Sequence, residues 1–273
     1  MSQFQNSIHT PVNYSDIIKF IMEEGQAVSS RYGETREVLD QRIMFESGEL
    51  MQRKGWNTKL ALLEAFQVVG GYFDAEQIKK LAPKARHELF TYEMSYGPRL
   101  GDQPQQVVDL LERDWQSRQA VIYIGSQADG MTNAQPCTTS IQFLLRDSNY
   151  NHGKGHTDPM SWNLRELHCF VSMRSWDAYL GLPNDIMVFA LIQQVIARML
   201  RVTSGRLHVR AGSLHHYVKN TFEPRTGPNR FLVHPYLKFS EWKTTQEWAR
   251  RMAEYVTNGI NIDDHIVFMG DNS

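Results

Sequence analysis

Cys137 stands in the run Gln135-Pro136-Cys137-Thr138-Thr139-Ser140-Ile141-Gln142-Phe143, just past a proline-bearing turn and at the mouth of a strand-like stretch. A thiolate placed there can attack an electrophilic carbon, provided a positive neighbour lowers the thiol's pKa. By itself the position also reads as an inert, buried structural cysteine. Three further patterns carry chemistry-capable groups. Arg174-Ser175-Trp176-Asp177 leads into Gly181-Leu182-Pro183-Asn184-Asp185, which reads as a turn and then a helix capped by Asn184 or Asp185. Gly212-Ser213-Leu214-His215-His216-Tyr217 ends a strand with an imidazole and a phenol. Glu64 sits among apolar neighbours, so it is either solvent-facing or a partly desolvated carboxylate fit for proton transfer.

These groups need elements to hold them. Residues 12–28 predict an opening helix, with Ile17, Ile18, Ile21 and Met22 at helical spacing and Ser15-Asp16 as its cap. Residues 38–45 alternate as a strand, 58–69 follow a helical period stopped by Gly70-Gly71, and 75–89 predict one or two helices broken near Pro83. A helical stretch at 107–113 and a short strand at 120–125 come next. Strands at 139–145 and 167–173 flank a polar loop over 148–163 and pair as a hairpin. Residues 185–200 are apolar on more than one face, which predicts a buried helix. A strand at 207–211 and a helix at 245–256 complete an α+β chain, read as one domain over 1–273.

Composition narrows the rest. Twenty-nine basic against thirty acidic residues leave a net charge of −1, so nothing argues for direct nucleic-acid binding, and a phosphate site must be local. The N-terminal residues lack a signal-peptide pattern, and no run is long and apolar enough to span a bilayer. Two cysteines in 273 residues suit free thiols in a reducing compartment, so a cytoplasmic location is expected, the host cytoplasm if the source is viral.

Taken in order, Pro-Cys with a glutamine five residues on, Arg-Ser-x-Asp, Gly-Leu-Pro-x-Asp and Gly-x-x-His-x-Tyr resemble the thymidylate synthase family. The likeness is dense from Pro136 to Tyr217. It extends thinly upstream through Arg31, Lys54 with Glu64, Tyr96-Gly97 and Ser117-Arg118. The resemblance implies a thymidylate synthase-like fold, a central mixed or antiparallel sheet covered by helices with one sheet face as a homodimer interface. It implies that Cys137 attacks C6 of a pyrimidine nucleotide, whose C5 then takes a one-carbon unit from 5,10-methylenetetrahydrofolate. No metal is called for. Residue by residue, Arg174 would sit beside the sulfur and bind phosphate with Arg31, Arg118 and Ser175. His215 and Tyr217 would bind the sugar hydroxyl, with Tyr96 and Gln142 on the nucleotide side. Asp177, Gly181 and Lys54 would face the folate, and Glu64 would order water and assist proton transfer.

One position bears on the substrate. Two residues after Gly-Leu-Pro the synthases carry asparagine, and this chain carries Asp185. An ionised carboxylate only accepts hydrogen bonds, so it suits the amino group of cytosine and repels uracil O4. The competing reading gives the base to Asn184 and makes Asp185 a helix cap. The aspartate, Thr138 after the cysteine and Gly-Ser-Leu-His at 212–215 are similar to the bacteriophage deoxycytidylate (dCMP) hydroxymethylases. A tryptophan-rich folate wall is not recognisable between Asp74 and Tyr96, which favours water entry and a hydroxymethyl product. Methyl transfer to dUMP or dCMP and hydroxymethylation of CMP remain alternatives, as do a Cys137-His215 hydrolase and a binding protein without turnover. Departures are Gln119 after Arg118, Gly55 after Lys54, the His152-Lys154-His156 loop and a polar end at Gly270–Ser273.

Overall fold

The longest helix forms where the sequence is apolar all round. In the computed structural model, which describes residues 13–83, 92–131, 135–148, 165–225 and 227–270, α6 (Leu182–Met199) is buried without a break from Ile186 to Ala197. A helix apolar on every face has to be covered on every face. It packs on α2 (Thr58–Val69) on one side and on strands of the main sheet on the other. The buried side chains form one continuous cluster around it.

The remaining helices are α1 (Tyr14–Glu24), α3 (Ala75–Leu81), α4 (Gly97–Leu100), α5 (Gln103–Arg113) and α7 (Trp242–Thr257). The strands are β1 (Gln26–Ser30), β2 (Gly33–Phe45), β3 (Val121–Tyr123), β4 (Thr138–Asp147), β5 (Arg165–Met173), β6 (Trp176–Asp177), β7 (Thr203–Tyr217), β8 (Arg230–Val233) and β9 (Ile266–Met269). The central sheet runs β1-β2-β7-β5-β4-β3, with β6 added beside β7. It is mixed: β5 and β6 lie parallel to β7, and every other pair is antiparallel. The architecture is the expected α+β one, a mixed sheet with helices packed against it, and β8 pairs with β9 in a separate two-stranded sheet.

Register at one end of this sheet gathers the motifs. Thr138 lies opposite Met173, so the residues just outside the pair, Cys137 and Arg174, meet: Arg174 N donates to the Cys137 carbonyl at 2.8 Å. Met173 pairs with Ala211 in the parallel β5–β7 ladder, and Ser213 N donates to the Arg174 carbonyl at 3.2 Å. Between Ala211 and Leu214 the buried set of β7 passes from odd to even residues, so His215 and Tyr217 escape the core face. Opposite this switch Asp40 of β2 takes a positive φ of 50°. Gly212 sits where a Cβ would lie 3.1 Å from the Arg174 carbonyl oxygen.

Several expectations need correction. The opening helix stops at Glu24, because Gly25 turns extended as its C-cap, and residues 26–28 belong to β1. Asn13, rather than Ser15-Asp16, caps it by accepting from Ser15 N at 3.0 Å. α6 begins at Leu182 with Gly181 as N-cap and no side-chain cap bond, so neither Asn184 nor Asp185 is the cap. The strand expected at 207–211 is the middle of a 15-residue one. The second half of the 75–89 stretch, most of the 148–163 loop with its His152-Lys154-His156 triplet, and the final residues lie outside the described residues. Among the described residues no helix is long and apolar enough to cross a membrane.

Candidate active site

Arg174 straps the backbone on both sides of Cys137. Arg174 Nε donates to the Pro136 carbonyl at 3.1 Å, and Nη2 donates to the Gln135 carbonyl at 2.8 Å. With its backbone bond to Cys137, the residue grips the whole approach to the cysteine. Cys137 is half-buried and free, whereas Cys169 is fully buried in β5. Burial pushes the Cys137 thiol up, and the Arg174 charge offsets part of that rise. Cys169 has burial alone acting on it, which raises it far out of reactive range.

Glu64 interrupts a run of buried residues on α2, with Ala61–Leu63 before it and Ala65–Val69 after it. It faces a cavity rather than bulk water. Its Oε2 accepts from Asn184 Nδ2 at 2.9 Å, and Asn184 Oδ1 accepts from Trp56 Nε1 at 2.8 Å. The next residue of α6, Asp185, points elsewhere: its Oδ2 accepts from Trp176 Nε1 at 3.1 Å. Successive helical residues diverge by about 100°, so Asn184 and Asp185 serve different walls of the site. Gly181 makes the second arrangement possible, since a Cβ there would lie 3.0 Å from Asp185 Oδ2 and 3.1 Å from the Asp177 carbonyl oxygen.

Cys137, Asp185, Glu64 and Tyr96 line one cavity of about 140 Å³, walled further by Gln67, Tyr72, Phe73, Ile78 and Met94. That volume is of the order that holds a single six-membered ring. Burial raises the Glu64 carboxyl, partly offset by the Asn184 bond. Burial, then the neighbouring Glu64 charge, holds Asp185 well above the usual carboxylate range. Tyr96 is raised for the same reasons, burial first and then Asp185, and its ring stacks on Phe189 of α6 at 6.4 Å. A raised carboxyl pair beside a strapped thiol can hold and move protons around a ring attacked by sulfur. Larger hollows elsewhere, at the far end of the sheet and beside Lys54, have no cysteine in their lining.

The other candidates surround this cavity at varying distance. Asp177 Oδ1 accepts from Tyr179 N at 2.8 Å and Leu180 N at 3.0 Å, shaping the turn before α6. That turn is tied down by Tyr14 OH donating to the Ala178 carbonyl and Arg53 Nε donating to the Tyr179 carbonyl. Asp177 pairs with His215 across β6–β7, and the His215 and Tyr217 rings meet edge to face at 5.5 Å. Burial lowers the His215 pKa, against the Asp177 and Glu37 charges. Ser175 is half-buried between Arg174 and Trp176. Arg31, Arg118 and Lys54 are exposed, and Lys54 Nζ is paired with Glu223 Oε2 at 2.7 Å. Gln142 does not line the cavity: it alternates onto the opposite face of β4, where its amide donates to the Arg118 carbonyl at 2.8 Å.

With this geometry in place, the thymidylate synthase family profile matches residues 12–264. The chain belongs to the thymidylate synthase family. It is therefore a folate-dependent one-carbon transferase acting at C5 of a pyrimidine nucleotide. Members of the thymidylate synthase family bind a pyrimidine nucleoside monophosphate and methylenetetrahydrofolate, and are typically dimers. The residues present fit a flat heteroaromatic co-substrate. Tyr72, Phe73, Ile78 and Met94 form an apolar wall beside Cys137 and Asp185. Among the described residues no group of three His, Cys, Asp or Glu side chains is placed to hold a metal.

Sequence reasoning missed Trp56, Trp176 and the Tyr72-Phe73 wall. Trp176 was visible inside Arg-Ser-Trp-Asp, but an indole N–H aimed at a residue nine positions on leaves no spacing signal. Trp56 reaches Asn184 across 128 positions, which only the packing of α2 on α6 brings together.

Proposed function

We propose that this member of the thymidylate synthase family is a dCMP 5-hydroxymethyltransferase working as a single catalytic domain and as a homodimer. The reading rests on one observation. The carboxylate of Asp185, pinned by Trp176, lines the cavity beside Cys137, while Asn184 is turned away and spent on Glu64 and Trp56. The base-reading position is thus an acid, and the amide that could replace it is occupied.

Cytosine offers an N4 donor and an N3 acceptor. Burial has already raised the Asp185 carboxyl, so a proton shared with N3 is natural, and its other oxygen then accepts from the amino group. Protonation at N3 draws electron density from C6, where the Cys137 thiolate adds. Arg174 favours that thiolate, and with Ser175, Arg31 and Arg118 it would hold the 5′-phosphate. His215 and Tyr217 would bind the sugar hydroxyl. Tyr96 packs on the base side, Gln142 supports the Arg118 loop, and Asp177, Gly181 and Lys54 lie toward the folate. The folate supplies the one-carbon unit. Loss of the C5 proton and departure of tetrahydrofolate open the new exocyclic carbon to water. Glu64 takes the proton of the water whose oxygen becomes the hydroxyl, a task suited to a raised, half-buried carboxyl. The Cys137 sulfur then leaves C6 as the ring double bond re-forms.

Incubating the enzyme with dCMP, dUMP and CMP in turn, each with methylenetetrahydrofolate, tests this directly. Hydroxymethyl and methyl products differ by one oxygen in mass. Hydroxymethyl-dCMP as the main product supports the reading; methylated dUMP, or CMP turned over as well as dCMP, contradicts it.

A further inference from the structure

We propose that Asn184 is the positioning residue for Glu64, with the Trp56 indole fixing which way its amide points. This deepens the reading of the same site and rests on Glu64 acting there as the proton carrier. Trp56 Nε1 is a donor only, so the amide oxygen of Asn184 must face it, at 2.8 Å. The amide nitrogen is thereby aimed at Glu64 Oε2, at 2.9 Å. An N–H donated to a carboxylate stabilises the ionised form and commits one of its two oxygens. Glu64 is left with Oε1 for the cavity.

The arrangement joins three elements that meet only on folding. Trp56 precedes α2, Glu64 lies in its second turn, and Asn184 lies in the first turn of α6, against which α2 packs. Trp56 is buried, which holds the indole still. The other titratable groups around the cavity are Asp185 from α6, Tyr96 at the head of α4, Tyr72 after α2 and Cys137 at the head of β4. Among the described residues, α3 contributes Ile78 to the lining and α7 contributes nothing, so no cation faces Glu64 there. The Asn184 amide is the neutral donor that does a cation's work.

The test is the titration of the Glu64 carboxyl, followed by carbon-13 NMR of glutamate-labelled protein and assigned with Glu64→Gln. Asn184→Leu keeps the side-chain volume and removes the donor. Its Glu64 midpoint should rise by about one pH unit, the worth of one charge-assisted hydrogen bond. Trp56→Phe keeps a ring but frees the amide, and should move the midpoint the same way by less. The turnover number of Asn184→Leu should fall on the order of tenfold, with nucleotide KM within about twofold of wild type. In a Glu64→Gln background Asn184→Leu should leave the pH profile unchanged. An unmoved Glu64 midpoint in either folded variant, or a pH-profile effect persisting without Glu64, overturns the proposal. The titration needs no substrate. Failure to process dCMP would therefore sink the functional reading alone, and an unmoved midpoint would sink the Asn184 role alone.

Discussion

Trp176 Nε1 and Asp185 Oδ2 are 3.1 Å apart, and this bond holds a carboxylate in a cavity whose other acid is Glu64. Trp176 is almost fully buried and lies edge-on to Phe45. A rigid donor thus fixes one oxygen of Asp185, and with it the orientation of the carboxyl.

Burying that acid costs stability at neutral pH. Folded Asp185 holds its proton more tightly than an unfolded aspartate, so the unfolded state binds fewer protons above the usual carboxylate range. Stability therefore falls as pH rises from that range through the raised pKa of the folded state. Asp185→Asn removes the titration. Its melting temperature at pH 8 should exceed wild type by a few degrees, on the order of 1 kcal/mol, and the gap should shrink at acid pH. Thermal melts of both proteins across that interval are the check, and equal melts at every pH would count against a raised Asp185.

Arg174 has a separable effect on the thiol. Its charge is the one influence that lowers the Cys137 pKa against burial and two neighbouring acids. Arg174→Met should move the pH dependence of Cys137 alkylation by iodoacetamide to higher pH. The rate at neutral pH should fall about tenfold for every pH unit by which the profile moves. Cys169 is too buried to contribute to the labelling. An unchanged alkylation profile would mean that the arginine straps the backbone without activating the sulfur.

Gly181→Ala probes the close packing under Asp185. The new methyl would press on Asp185 Oδ2 and on the Asp177 carbonyl oxygen, at 3.0 and 3.1 Å. The backbone at Gly181 is not of the positive-φ kind, so the expected cost is crowding alone, about 1–3 kcal/mol. Activity should fall with Asp185 displaced, and chemical denaturation should show the loss. A variant as stable and active as wild type would show that this corner has slack.

The sequence carried most of the sheet's centre. β4 and β5 alternate cleanly and flank a polar loop, so their pairing was readable, as was the buried α6. Helix ends were less legible because Gly25 and Gly181, neither with a side chain, set the limits of α1 and α6 while more capable capping residues stood nearby. The full length of β7 was hidden by its switch of buried parity after Ala211, which breaks the two-residue period a strand is recognised by. For the site, local motifs were enough to nominate Cys137, Arg174 and Asp185. They were not enough to show that Asn184 and Asp185, adjacent in sequence, face different partners, because helical phase only becomes direction once α2 is packed on α6.

The most direct test uses 5-fluoro-dCMP and 5-fluoro-dUMP, whose C5 fluorine cannot leave as a proton does, with methylenetetrahydrofolate present. Peptide mass spectrometry should find the cytosine nucleotide covalently attached to Cys137 in the wild-type enzyme, with little uracil adduct. In Asp185→Asn the preference should swing toward uracil by about 100-fold or more. Attachment to a residue other than Cys137, or a uracil preference in the enzyme that still carries Asp185, would contradict the account.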